Sequence, residues 1–247
     1  MSNGSNAAMM PAANKPPFAK STELLACVVI LLALSALFRF TDLDVRLGSL
    51  FFSPEAGWKY ATATLFSLLY DYGEWPGLLL SIMAAAVLGT SFFVNNLSRF
   101  RKPAVFIVLL LVIGPGFVVN GFLKYYGGRP RPRDVAVFAG TQPFHKLGEK
   151  GEAGQGYSFP SGHASMGFFL GAPYFILRKS SRRWAFFWLL LGLTAGAGIG
   201  VARMAQGGHF ASDIVWAWGI VHLCGLALLY LLNLENGSST NLAATTP

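Results

Sequence analysis

Apolar runs separated by short polar segments organise this chain. Six of them stand out, at about residues 22–38, 77–94, 104–123, 161–177, 184–202 and 212–232. Each comes near the roughly 20 residues that a helix needs to cross the hydrocarbon core of a bilayer. The first is flanked by Lys15 and Lys20, as a signal peptide would be. No small-residue cleavage site follows it, so it reads as a membrane span. Between the first two runs, residues 42–72 alternate aromatic, small and charged positions. They read as one or two helices lying at the interface, with Trp58 and Tyr60 as anchors. Residues 1–20 and 233–247 read as disordered tails, which leaves residues 21–232 as one membrane domain. The predicted fold is all-α, a six-transmembrane-helix bundle.

Composition strengthens this picture. Of 247 residues, 53% are hydrophobic and 12% charged, against about 25% charged in soluble domains. The net charge of +8 could point to nucleic acid, but the basic residues fall in short clusters between apolar runs. Topology explains them better, and no nucleic-acid partner is expected. One side of the membrane would carry nine Lys and Arg with two acids, the other ten with nine acids. Five of those ten belong to the motifs described below and have another reason to be there. On that basis both termini are placed in the cytoplasm and the loop 124–160 outside. Cys27 and Cys224 lie inside apolar runs, which argues against a disulfide framework. Gly192, Gly196 and Gly200 form a small-residue face for close helix packing, and Gly114-Pro115-Gly116 should kink the third span.

Three clusters on the outer side carry chemistry. The first, KYYGGRPRPRD from Lys124 to Asp134, places four cations within ten residues. Guanidinium forks and an ammonium suit a phosphate-bearing ligand. The second is FPSGHAS, from Phe159 to Ser165. Ser161 is a good N-cap for the fourth span, and a helix start is a ready anion site. Gly162 allows close backbone approach, and His163 is held in the first turn beside the anion. The third, ARMAQGGHFASD, carries Arg203, His209 and Asp213. If helical, His209 and Asp213 share a face, where the carboxylate can fix the imidazole tautomer. Two imidazoles around one anion could divide the work. One attacks phosphorus and the other protonates the leaving oxygen, through a phosphohistidine. His222 reads as a packed, hydrogen-bonded residue within the sixth span, and His145 has no evident partner. No spacing matches a zinc, calcium or Walker-type site, so neither metal nor cofactor is expected.

Together the clusters resemble the signature of the type 2 phosphatidic acid phosphatase family: Lys-x6-Arg-Pro, Pro-Ser-Gly-His and Ser-Arg-x5-His-x3-Asp. Lys124, Arg131 and Pro132 match the first part. Residues 160–163 match the second, and Arg203, His209 and Asp213 the third. Ala202 stands where the family usually has serine, which puts some phosphate or supporting bonding in doubt. The resemblance implies a helical bundle with an outward-facing active site at the helix ends. Its catalytic residues would be His209 as nucleophile, Asp213 as its partner and His163 as the acid on the leaving group. Lys124, Arg131, Ser161, Gly162 and Arg203 would bind the substrate phosphate, with Arg129 and Arg133 as head-group contacts. A membrane lipid phosphate is the implied substrate, at the periplasmic face of a bacterial inner membrane, with no obligate protein partner. RPRPRD and the long loop ending in GQGYSFPSGHAS look like bacterial lipid A phosphatases. Undecaprenyl pyrophosphate and phosphatidylglycerol phosphate phosphatases share the same core motifs. A lipid phosphotransferase, a haloperoxidase, and a lipid-phosphate binder or transporter without turnover are the rival readings. Six spans argue against the haloperoxidase, and the complete His163, His209 and Asp213 set against a dead site.

Overall fold

Large apolar side chains such as Leu25, Leu32, Phe186 and Leu190 are exposed along the helices, as they are where lipid replaces water. The computed structural model describes residues 18–234. Helix α1 (Phe18–Phe40) leads into α2 (Leu43–Ser49) and a two-stranded antiparallel hairpin, β1 (Phe52–Ser53) with β2 (Gly57–Trp58). Helices α3 (Thr64–Tyr72), α4 (Trp75–Thr90) and α5 (Arg101–Leu111) follow, then a π-helical segment (Val112–Leu123) and the single turn α6 (Lys124–Gly127). The chain continues through α7 (Gly162–Phe169), α8 (Pro173–Leu177), α9 (Arg182–Ala205) and α10 (Ala211–Leu231).

Among the described residues, five helical runs are long and apolar enough to cross a membrane: Thr22–Phe40, Thr64–Thr90, Asn95–Asp134, Arg182–Ala205 and Ala211–Leu231. The fourth expected span, 161–177, differs. It is two short helices, α7 and α8, joined by a turn at residues 170–172. Pro173 has no N–H with which to continue the ladder to Phe169, and the chain rewinds as a new helix beginning at that proline.

Residues 42–72 hold two helices and the hairpin. Trp58 is half-buried against the protein. Its ring packs on Phe52 and Phe138, at centroid distances of 5.4 and 5.1 Å, and it covers Gly207. The expected tails fall almost wholly outside the described residues, and 18–20 already belong to α1.

The main core joins α5, α7, α8 and α10 through Phe106, Leu110, Phe169, Phe175, Val221 and Leu229. The small-residue face of α9 acts as a packing surface. A Cβ on Gly196 or Gly192 would collide with Phe168 and Gly171, so these glycines let α9 lie directly on α7 and on the turn after it. The third span runs as a widened π-helix through Gly114-Pro115-Gly116, where Pro115 cannot donate to its helix. Asn120 compensates there, its Nδ2 donating to the Pro115 carbonyl at 2.8 Å.

Candidate active site

The three sequence clusters converge. Lys124, Arg131, Arg133, His163, Arg203 and His209 line one cavity of about 360 Å³. Helix α3, the start of α6 and the loop after it, the start of α7, the end of α9 and the loop before α10 supply its walls. Lys124 Nζ donates to Asn120 Oδ1 at 2.9 Å, so the π segment that Asn120 braces also holds the ammonium in place. Ser161 caps α7, its Oγ accepting from Ala164 N at 3.4 Å, and its own N–H donates to the Asp213 carbonyl. Ser161 is fully buried. A Cβ on Gly162 would lie 2.5 Å from Asn120 Oδ1 and 2.9 Å from Lys124 Nζ, so only glycine lets the α7 start meet the lysine. The Arg203 guanidinium lies 4.4 Å from the Tyr70 ring centroid, and Nη1 donates to Gln206 Oε1 at 2.6 Å. Its buried Nε has no partner among the described residues, which leaves a charged donor for a ligand oxygen.

His209 precedes α10 rather than lying on it. Its Nδ1 is 2.6 Å from the Ser158 carbonyl oxygen. A carbonyl can only accept, so the proton resides on Nδ1 and the Nε2 lone pair is free. Asp213 does not hold the ring by a direct hydrogen bond, because Oδ2 stands 3.7 Å from Nδ1. That oxygen accepts instead from Ser158 Oγ at 2.6 Å and Phe210 N at 2.8 Å. Asp213 therefore acts on His209 through space and through Ser158. Burial pushes the His209 pKa down to about 4, Asp213 pulls it up, and the Arg203 and Lys124 charges push it down further. The imidazole is neutral near pH 7. His163 stacks on Tyr70 at 4.8 Å, and its Nδ1 lies 3.5 Å from Glu74 Oε1.

Two expectations need revision. Arg129 is not free to meet a head group. It is 2% exposed, and its guanidinium is bound to Asp44, Ser212 and Asp213. Ala202, at the family's serine position, is fully buried and does not line the cavity. The His145 ring Nδ1 has no hydrogen-bond partner among the described residues, in line with the sequence; only its backbone carbonyl accepts from Arg129 Nε, at 3.0 Å. Sequence reasoning missed Asp44, Tyr70, Glu74, Asn120 and Ser158. Only Asn120 left a local signal, as an isolated amide in an apolar run. A larger apolar groove of about 740 Å³ lies between α1, the π segment and α10, lined by Phe40, Phe122, Tyr126 and Trp216 among others. The histidines open into the smaller cavity.

The PAP2 superfamily model matches residues 104–236. A lipid A 4′-phosphatase of Francisella tularensis subsp. novicida is 32% identical over 203 residues, covering 81% of this chain and 90% of that protein. Lipid A 4′-phosphatases of Rhizobium etli and Rhizobium leguminosarum are 30% and 29% identical, each across 75% of this chain and across 78% and 86% of their own lengths. No solved structure matches the chain. Apolar helices, a cation-lined cavity with two histidines, and these relatives lead to one conclusion: the chain belongs to the PAP2 superfamily and is a multi-pass membrane lipid phosphatase, a hydrolase of phosphoric monoesters.

Proposed function

We propose that the protein removes the 4′-phosphate of lipid A at the periplasmic face of the inner membrane, through a phosphohistidine on His209. The observation that carries this reading is the locked tautomer. Nδ1 is held by the Ser158 carbonyl, and Nε2 remains the free nitrogen beside a cavity lined by cations. Lys124, Arg131 and Arg203, with the α7 start at Ser161 and Gly162, bind the phosphate oxygens, and Arg133 meets the sugar-phosphate rim. Nε2 attacks phosphorus, the P–O bond to the sugar breaks, and His163, protonated once the bound phosphate's negative charge offsets the cations around it, gives that proton to the leaving oxygen. Water, deprotonated by the same His163, then attacks the phosphohistidine and releases inorganic phosphate. A cavity lined by Lys124, Arg131, Arg133 and Arg203 repels a divalent cation, so the reaction runs without metal. The relatives' identity as lipid A 4′-phosphatases supports the choice of lipid.

The α7–α8 pair completes a sixth crossing in this reading. Helix directions support the orientation. Arg99, Arg101, Lys102, Arg178, Lys179, Arg182 and Arg183 all fall at helix ends remote from the cavity, as a cytoplasmic surface would require.

The test is phosphate release by detergent-purified protein, with EDTA present, from lipid A, undecaprenyl pyrophosphate, phosphatidylglycerol phosphate and phosphatidic acid. Release is expected from lipid A with loss of the 4′-phosphate. His209→Ala should lower it by about 10⁴-fold or more. Release from another lipid alone refutes the substrate, and an active His209→Ala refutes the nucleophile.

A further inference from the structure

Asp44 and Arg129 stand outside the phosphate cavity's ring of donors, yet each is only 2% exposed. Buried charges persist only when they are paired and hydrogen-bonded. Here the pairing is extensive, and it leads to the histidine. Arg129 Nη2 donates to Asp44 Oδ2 at 2.8 Å. Its Nη1 donates to Asp213 Oδ1 and to Ser212 Oγ, both at 2.7 Å. Asp44 Oδ1 accepts from Ser212 N at 2.9 Å, and Oδ2 accepts from Ser212 Oγ at 2.5 Å. The guanidinium is covered by the Phe210 ring, 4.3 Å from its centroid. Asp213 is thus gripped on one oxygen by Arg129 and on the other by Ser158 and the Phe210 amide. Ser158 in turn holds His209 through its carbonyl.

We propose that Asp44 and Arg129 are positioning residues of the phosphatase reaction: Arg129 fixes Asp213 behind His209, and Asp44 keeps the buried cluster net negative. This rests on the reading of His209 as nucleophile. Arg129 carries one positive charge against two carboxylates. Paired with Asp213 alone, it would cancel that carboxylate's field at the imidazole. Asp44, on the other side of the same guanidinium, takes up that charge. One net negative charge then faces His209 as the ring becomes cationic on forming the N–P bond. Burial and the nearby Asp213 charge raise the Asp44 pKa on balance, against the pull of Arg129 and its hydrogen bonds. All three groups bonded to its oxygens are donors, the pattern of an ionised carboxylate. Helix α2 and the segment around it thereby gain a role in the reaction, that of delivering Asp44.

Asp44→Asn keeps the size and removes the charge. With purified protein and its lipid substrate, kcat should fall about 10- to 100-fold. KM and the inhibition constant of inorganic phosphate should stay within about twofold, because Lys124, Arg131 and Arg203 are untouched. Ser212→Ala keeps all three charges and loses one hydroxyl. It should lower kcat about two- to fivefold with the same phosphate constant, and it carries the test if Asp44→Asn does not fold by thermal unfolding in detergent. Wild-type kcat in a folded variant overturns the proposal. So does a loss shared equally between kcat and phosphate affinity. His209→Ala, run alongside, separates the two ideas. If it is active, the nucleophile assignment fails. If it is dead beside a fully active Asp44→Asn, only the positioning role fails.

Discussion

Near opposite ends of α1 the molecule builds two clusters from the same residue types, a histidine, a carboxylate and an arginine. One is His209 with Asp213 and Arg129; the other is His222 with Glu23 and Arg178. In the second, His222 Nε2 lies 3.3 Å from Glu23 Oε1, which also accepts from the Tyr174 hydroxyl at 2.8 Å. Arg178 Nη1 lies 2.6 Å from Glu23 Oε2. The imidazole is flanked by the Tyr174, Phe175 and Trp218 rings, and the adjoining void is about 20 Å³, room for about one water. His222 therefore sits closer to its carboxylate than His209 does to Asp213, yet the void beside it has room for only about one water. At His209 a backbone carbonyl holds one nitrogen, the carboxylate stands back, and the other nitrogen adjoins a cavity of about 360 Å³ with four cations. A histidine beside a carboxylate is thus not a mark of catalysis in itself. The open cationic space and the backbone-locked tautomer are what distinguish His209 and support the proposed role.

This contrast is sharpened most strongly at His163. His163→Ala should lower kcat on a sugar phosphate about 10²- to 10⁴-fold. On a nitrophenyl phosphate, whose leaving group needs no proton, the loss should shrink to less than about tenfold. Equal losses on both substrates would show that His163 is not the acid. A smaller effect concerns pH. With its pKa pushed down to about 4, His209 remains deprotonated, and nucleophilic, well below the ordinary histidine value. The acid limb of kcat/KM should therefore lie below about pH 5 rather than near 6.5. A limb at 6.5 that disappears in no other variant would contradict a buried, neutral His209.

Much of this was readable from local pattern. The apolar runs locate five long helices. Ser161 caps α7 as its place before the fourth run suggests, and the three polar clusters meet at one cavity. What was not readable depends on long-range partners. In RPRPRD the arginines look equivalent. Arg131 and Arg133 line the cavity, whereas Arg129 turns inward toward Asp213 and Asp44, 84 and 85 positions away. Asp44 lies in a stretch with no clear period, so nothing nearby marks it as buried. Ser158 acts partly through its carbonyl, which every residue type possesses. The break between α7 and α8 was signalled by Gly171 and Pro173, but the apolar run across them reads as one helix.

The smallest expected effect lies at the second cluster, where it tests the comparison from the other side. His222→Ala removes one contact to Glu23 and leaves that carboxylate with Tyr174 and Arg178. The cluster ties α1 to α8 and α10 through side chains, so its loss should appear in stability, by about 1–3 kcal/mol, as a lower unfolding temperature in detergent. Turnover should stay within about twofold of wild type, because no atom of the cluster lines the cationic cavity. Glu23→Gln should behave alike, with a larger stability loss, since it removes the carboxylate charge from Tyr174, Arg178 and His222 together. A tenfold fall in kcat with unchanged stability would break the comparison. It would mean that the two ends of the bundle are coupled, and that the histidine facing a 20 Å³ void takes part in what happens at the other.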